Sequence, residues 1–199
     1  MKLHADARAI AAAATDQRGV FDKTDLKVLL AEPHRSALTR RIEALVHAGE
    51  LLRFARGIYV REPFDLPTLS QRICPASYVS FGNALARHLV IGTTPARQVL
   101  AVKCGPARGY QGLGYDVTHV HVAPHLHFGF SAIDGVQWAD AEKAVLDTLY
   151  FHLRGRRYPF DPFSDIDTSW LDPVRFASYL ERYRNPKFVA FAQAALVTK

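Results

Sequence analysis

The sequence predicts an α+β chain in two parts, and two observations carry that prediction. Over the first 60 residues, helical spacing of apolar side chains ends in a short hairpin; beyond residue 66, helices and strands are mixed, with turns rich in Gly and Pro between them. A proline-punctuated stretch, REPFDLPTL, lies between the two and breaks both periodicities, which places the parts at residues 1–62 and 66–199.

The elements follow in order. ADARAIAAAATDQ is an alanine-rich helix, and Arg18 to Phe21 a short extended piece. Asp22 or Thr24 can cap a second helix, TDLKVLLA, with Leu26, Leu29 and Leu30 on one face, and Pro33 ends it. A third helix, HRSALTRRIEALVHAGE, spaces Leu38, Ile42, Leu45 and Val46 at i, i+4, i+7 and i+8, and Gly49 stands where a helix stops. With that stripe inward, Ser36, Arg40, Glu43 and His47 point away, flanked by Thr39 and Arg41. The hairpin LLRFARGIYV follows, its Arg53 and Arg56 projecting. Helix, strand, helix, helix, hairpin is the order of a winged helix-turn-helix, whose third helix enters a DNA major groove while the hairpin lies along the backbone.

The second part reads as a helix around LSQRIC, an extended SYVS, a helix FGNALARHLV with Ser80 as its cap, and strands QVLAVKC, DVTHVHVA and FGFSAI. A helix DAEKAVLDTLYFHL begins at the cap Asp140, with Glu142 in its favourable first turn. After the loop RGRRYPFDPFSDIDTSW, two final helices open at Asp172-Pro173 and Asn185-Pro186.

Charge narrows the function. The net charge is +6, and from Pro33 to Arg61 six arginines face two acids, Glu43 and Glu50, a net +4 concentrated on the third helix and hairpin. No apolar run reaches bilayer length and no signal core opens the chain, so a cytoplasmic location is expected. Cys74 and Cys104 are the only cysteines and are expected as reduced thiols. His119, His121, His125 and His127 lack a Cys, Asp or Glu to complete a metal set, and CGPARGYQGLGYD lacks the ending of a phosphate loop, so neither a metal nor a cofactor is expected. No nucleophile motif is present, which makes catalysis the weaker reading; the enzyme alternative is a nucleic-acid-processing one targeted by the winged helix.

With both parts laid out, the chain resembles the AbiEi family of antitoxins from type IV toxin-antitoxin (abortive infection) systems. The resemblance rests on the N-terminal part ending in FARGIYV, on YVSFGNALARHLV and on WADAEKAVLDTLYF, in that order along nearly the whole chain. One departure is Leu89, which follows His88 where the family has glycine. The resemblance implies a non-enzymatic repressor whose winged helix binds inverted repeats in double-stranded operator DNA, and whose C-terminal domain counters a nucleotidyltransferase-like toxin without a stable complex. The DNA contacts expected are Arg35, Ser36, Thr39, Arg40 and Arg41 on the third helix, and Arg53 and Arg56 on the wing.

Overall fold

The computed structural model describes residues 2–93 and 95–197, and the chain is α+β, with eight α-helices and two sheets among the described residues. It divides into two compact units, one of residues 1–75 with 110–115, the other of 76–109 with 116–199. The boundary expected between 62 and 66 therefore falls inside the first unit. The reason is visible in the backbone: Arg61 N–H donates to the Gly19 carbonyl at 2.8 Å and Asp65 N–H to that of Arg18 at 2.9 Å, so the proline-bearing stretch is bonded to the turn near Gly19. A chain so held does not behave as a free linker.

In the first unit, α1 (Lys2–Ala13) starts and stops earlier than expected, and the strand β1 (Val20–Asp22) follows it. Asp22 caps α2 (Lys23–Leu29) by accepting from Thr24 and Asp25 N–H, while the Asp25 side chain accepts from Asp22 N–H, a reciprocal capping box. Then come α3 (Arg35–His47) and the hairpin of β2 (Leu52–Ala55) and β3 (Ile58–Val60). The strands form a sheet in the order β1-β3-β2, both pairings antiparallel. Helical spacing sends Leu38, Ile42 and Leu45 of α3 into a core with Ile10, Phe21, Leu26, Leu51 and Tyr59. Gly49, at φ +74°, closes α3 because a left-handed residue there lets Glu50 N–H reach the Leu45 carbonyl. The helix α4 (Leu66–Ile73), capped by Asp65, completes the unit. Edge-to-face contact of Phe64 with Tyr115, centroids 4.9 Å apart, accompanies residues 110–115.

The second unit carries most of a sheet of order β6-β7-β5-β4-β9-β8, of which residues 110–115 are grouped with the first. Its strands are β4 (Tyr78–Val79), β5 (Gln98–Lys103), β6 (Arg108–Gly112), β7 (Tyr115–His121), β8 (Phe130–Ile133) and β9 (Val136–Ala139). Two of these were not expected. The stretch ARGYQGLGY falls among the glycine-rich turns expected between strands but forms the β6-β7 hairpin, and Val136–Ala139 becomes a strand because β4 and β8 flank it and satisfy its backbone. The helices are α5 (Phe81–Arg87), α6 (Ala141–Leu153), α7 (Pro173–Leu180) and α8 (Pro186–Val197). Asp140 caps α6, Asp172 caps α7, and Asn185 accepts from Lys187 N–H at the start of α8. Among the described residues no helix is long and apolar enough to cross a membrane.

Candidate nucleic-acid interface

The exposed face of α3 is built by what its other face buries. With Leu38, Ile42 and Leu45 fixed in the core, Arg35, Ser36, Thr39, Arg40 and Glu43 are left in solvent. The His34 side chain makes no capping hydrogen bond to the first turn of α3. Thr39 hydroxyl donates to the Arg35 carbonyl at 2.9 Å, one turn earlier on the helix. Between α3 and the hairpin lies a cleft of about 400 Å³, bordered by Thr39, Glu43, Arg53, Arg56 and Tyr59.

The arginines separate into two groups. Arg35, Arg40 and Arg56 are exposed and, among the described residues, have no ion pair; Arg56 stands beside Gly57, whose φ of +82° turns the hairpin. Arg53 is also exposed, but it bonds Glu43 of α3 and lies 5.7 Å from the centroid of the Tyr59 ring. Its pKa is raised, first by the Glu43 hydrogen bond.

Arg41 is placed differently from its neighbour. Its Nε donates to Asp6 Oδ2 at 2.8 Å and its Nη2 to Asp6 Oδ1 at 2.5 Å, while Nη1 donates to the Leu30 carbonyl at 2.8 Å and reaches Glu32 at 3.4 Å. The guanidinium thus joins α1, the end of α2 and α3, with its side chain only 15% exposed and that of Asp6 6%. Bonding to Asp6 raises the Arg41 pKa against the opposing effect of burial. A guanidinium with this many partners holds α3 in position and has no free edge for an external anion.

The second unit contains a polar cluster that sequence reasoning missed. Lys143 is fully buried; its ammonium donates to Asp147 Oδ1 at 2.5 Å and to the Tyr183 hydroxyl at 2.9 Å, and lies 4.7 Å from the Phe128 ring centroid. The other oxygen of Asp147 accepts from Tyr78 hydroxyl at 3.0 Å and from Ser80 hydroxyl at 2.9 Å. Ser80 occupies the cap position of α5 but makes no capping bond, contrary to expectation, because the buried carboxylate takes its proton. Burial pushes the hydroxyls of Tyr78 and Tyr183 well above the usual phenol range. The signal available in sequence was the i, i+4 spacing of Lys143 and Asp147 on one helix face.

Nor do the four histidines converge. His119 is buried in β7, His121 and His125 are exposed, and His127 Nε2–H donates to the Ala76 carbonyl, 3.1 Å away. Among the described residues no group of three or more His, Cys, Asp or Glu is arranged to hold a metal ion.

The fold as a whole is similar to that of the RV2827C protein from Mycobacterium tuberculosis, a crystal structure. The likeness covers 96% of this chain and 80% of that one, at a TM-score of 0.60 and 14% sequence identity. No family model matches the chain, and no curated protein matches it.

Proposed function

We propose that the first unit is a winged helix-turn-helix that binds double-stranded operator DNA, and that the protein is the antitoxin and autorepressor of an AbiE-like type IV toxin-antitoxin system. One observation carries the DNA reading: Arg35, Arg40 and Arg56, without ion pairs among the described residues, lie on the exposed face of α3 and the tip of the hairpin. The element order α1-β1-α2-α3-β2-β3 with sheet order β1-β3-β2 supports it, since that arrangement presents a third helix and a wing together.

In this reading α3 lies in the major groove. Arg40 makes two hydrogen bonds to a guanine edge, worth about 1–3 kcal/mol of discrimination against another base. Arg35, Ser36 and Thr39 line its flank, and Arg56 meets a phosphate. Arg53 meets phosphate only by sharing its guanidinium with Glu43, and Arg41 acts by holding α3 against α1. The second unit counters a nucleotidyltransferase-like toxin, a role that rests on the family resemblance alone.

The test is fluorescence anisotropy with duplex DNA from upstream of the protein's own coding sequence. Arg40→Ala should weaken that duplex more than random DNA and flatten the preference at one base pair of each half-site. Arg56→Ala should weaken all sequences alike and lower the slope of log affinity against log salt by about one. If neither substitution alters binding, the first unit does not bind DNA in this way. Co-expressed with a neighbouring nucleotidyltransferase-like gene, the full chain carrying Arg40→Ala and Arg56→Ala should still protect cells; loss of protection by a protein that accumulates normally would separate toxin control from the second unit.

A further inference from the structure

The end of α6 carries three arginines within four residues, Arg154, Arg156 and Arg157. Among the described residues none of them has a carboxylate partner. A helix C-terminus favours one nearby cation, which accounts for Arg154 at the cap of α6 but not for three uncompensated charges. Two of the three are held by rings. Arg154 Cζ lies 4.1 Å from the Tyr150 ring centroid, and Arg156 Cζ lies 5.9 Å from that of Phe151. A guanidinium laid over a ring keeps its N–H donors around an outer rim, oriented before any anion arrives.

Beside this edge stands an exposed aromatic. Phe163 is 44% exposed and meets two rings edge-to-face, that of His152 in the last turn of α6 with centroids 5.2 Å apart and that of Phe191 in α8 with centroids 5.9 Å apart. Arginines that follow a phosphate backbone, combined with a ring open to a base, are the two components of single-strand recognition. An acidic peptide would use the arginines and leave the ring without a role, and a duplex would keep its bases away from it. The geometry points to a contact for single-stranded nucleic acid on this face of the second unit, with phosphates at Arg154, Arg156 and Arg157 and a base against Phe163.

The full chain is titrated, by anisotropy, into labelled oligouridylate RNA and oligothymidylate DNA, each about 16 nucleotides long. With Arg154→Gln, Arg156→Gln and Arg157→Gln combined, affinity should fall at least tenfold and the salt slope by about 2, from three single-strand contacts of about 0.7 each. Phe163→Ala should cost about tenfold with the slope unchanged, since stacking carries no counterion release. Equal losses on both strands identify the shared backbone as the ligand, and a loss confined to RNA identifies RNA as its source; both support the contact. Unchanged affinity and slope in a triple variant that melts like the wild type overturn it, as does polyglutamate displacing either strand as well as unlabelled oligonucleotide does. Should the triple variant not fold, Arg157→Gln alone, at an exposed side chain, should lower the slope by about 0.7, and an unchanged slope overturns the proposal.

Discussion

Replacing Arg41 by alanine should unfold the first unit well before it affects any direct reading of DNA. The change removes two hydrogen bonds to a carboxylate at 2.8 and 2.5 Å and one to the Leu30 carbonyl. It also leaves Asp6, 6% exposed in its side chain, without that cation. Breaking a buried pair from one side costs about 3–5 kcal/mol, and the residual exposure of Arg41 argues for the lower end, about 3 kcal/mol. In a unit of this size that corresponds to a fall of roughly 10–20 °C in melting temperature. Arg40→Ala, one residue away and exposed, should change stability by no more than about 0.5 kcal/mol. Both tryptophans, Trp138 and Trp170, lie in the second unit, so amide exchange in α1 and α3 reports the first unit while tryptophan fluorescence reports the second. Asp6→Asn with Arg41→Met should recover much of the loss, because no unpaired charge then remains. If Arg41→Ala melts like the wild type, the guanidinium does not hold α3, and its assignment as a positioning residue fails.

Lys143→Met should destabilise the second unit by about 3–5 kcal/mol by leaving the buried Asp147 carboxyl without its cation, read as a lower urea midpoint in tryptophan fluorescence; an unchanged midpoint would show that the pair contributes nothing. Leu89→Gly should stabilise by about 0.5–1 kcal/mol: Leu89 sits at φ +58° and is 78% exposed, so glycine relieves left-handed strain without losing buried surface, and a loss would refute the strain. Burial lowers the His127 pKa, with the Lys143 charge adding to it and the Ala76 hydrogen bond and Asp147 opposing. The unfolded chain therefore binds this proton more readily; the stability it contributes is present above about pH 6.5 and is lost as pH falls through the lower folded value. His127→Gln should reduce the drop in urea midpoint between about pH 7 and pH 5, and an identical drop would show that His127 is not the group titrating.

How much of this was legible beforehand depended on the kind of information each element needed. The third helix was readable because Leu38, Ile42 and Leu45 repeat with the helix itself, and Asp22, Asp140 and Asp172 because a cap needs only its own next few residues. The β6-β7 hairpin was not. β6 is mostly exposed and rich in glycine, so it carries no apolar alternation, and its pairing with β7 is what makes it a strand. β9 is four residues long, antiparallel to the adjacent β8 on one side but parallel on the other to β4, a strand far earlier in the chain, so half of what makes it a strand is not local. Ser80 could be placed at a helix start from its neighbours, but the carboxylate that captures it is 67 residues away.

The same limit decides what a run of arginines means. Arg40 and Arg41 are adjacent and chemically identical, and the charge count over residues 33–61 weights them equally. Successive helical residues point about 100° apart, so one reaches solvent while the other turns toward α1 and meets Asp6, an acid 35 residues earlier that the count excludes. Arg53 and Arg61 are likewise engaged, by Glu43 and Glu50, so half of the six arginines in the segment are paired within the unit. The cations of the segment left without an ion pair among the described residues are Arg35, Arg40 and Arg56. If Arg40 takes a base edge and Arg35 and Arg56 take phosphates, the salt slope of the wild type should correspond to about two phosphates per copy, near 1.8, with a third where Arg53 also reaches the backbone. Glu43→Gln separates the cases: a slope that rises by about one with the acid removed means the pair withholds Arg53 from DNA, whereas an unchanged slope means that Arg53 serves Glu43 and the backbone together.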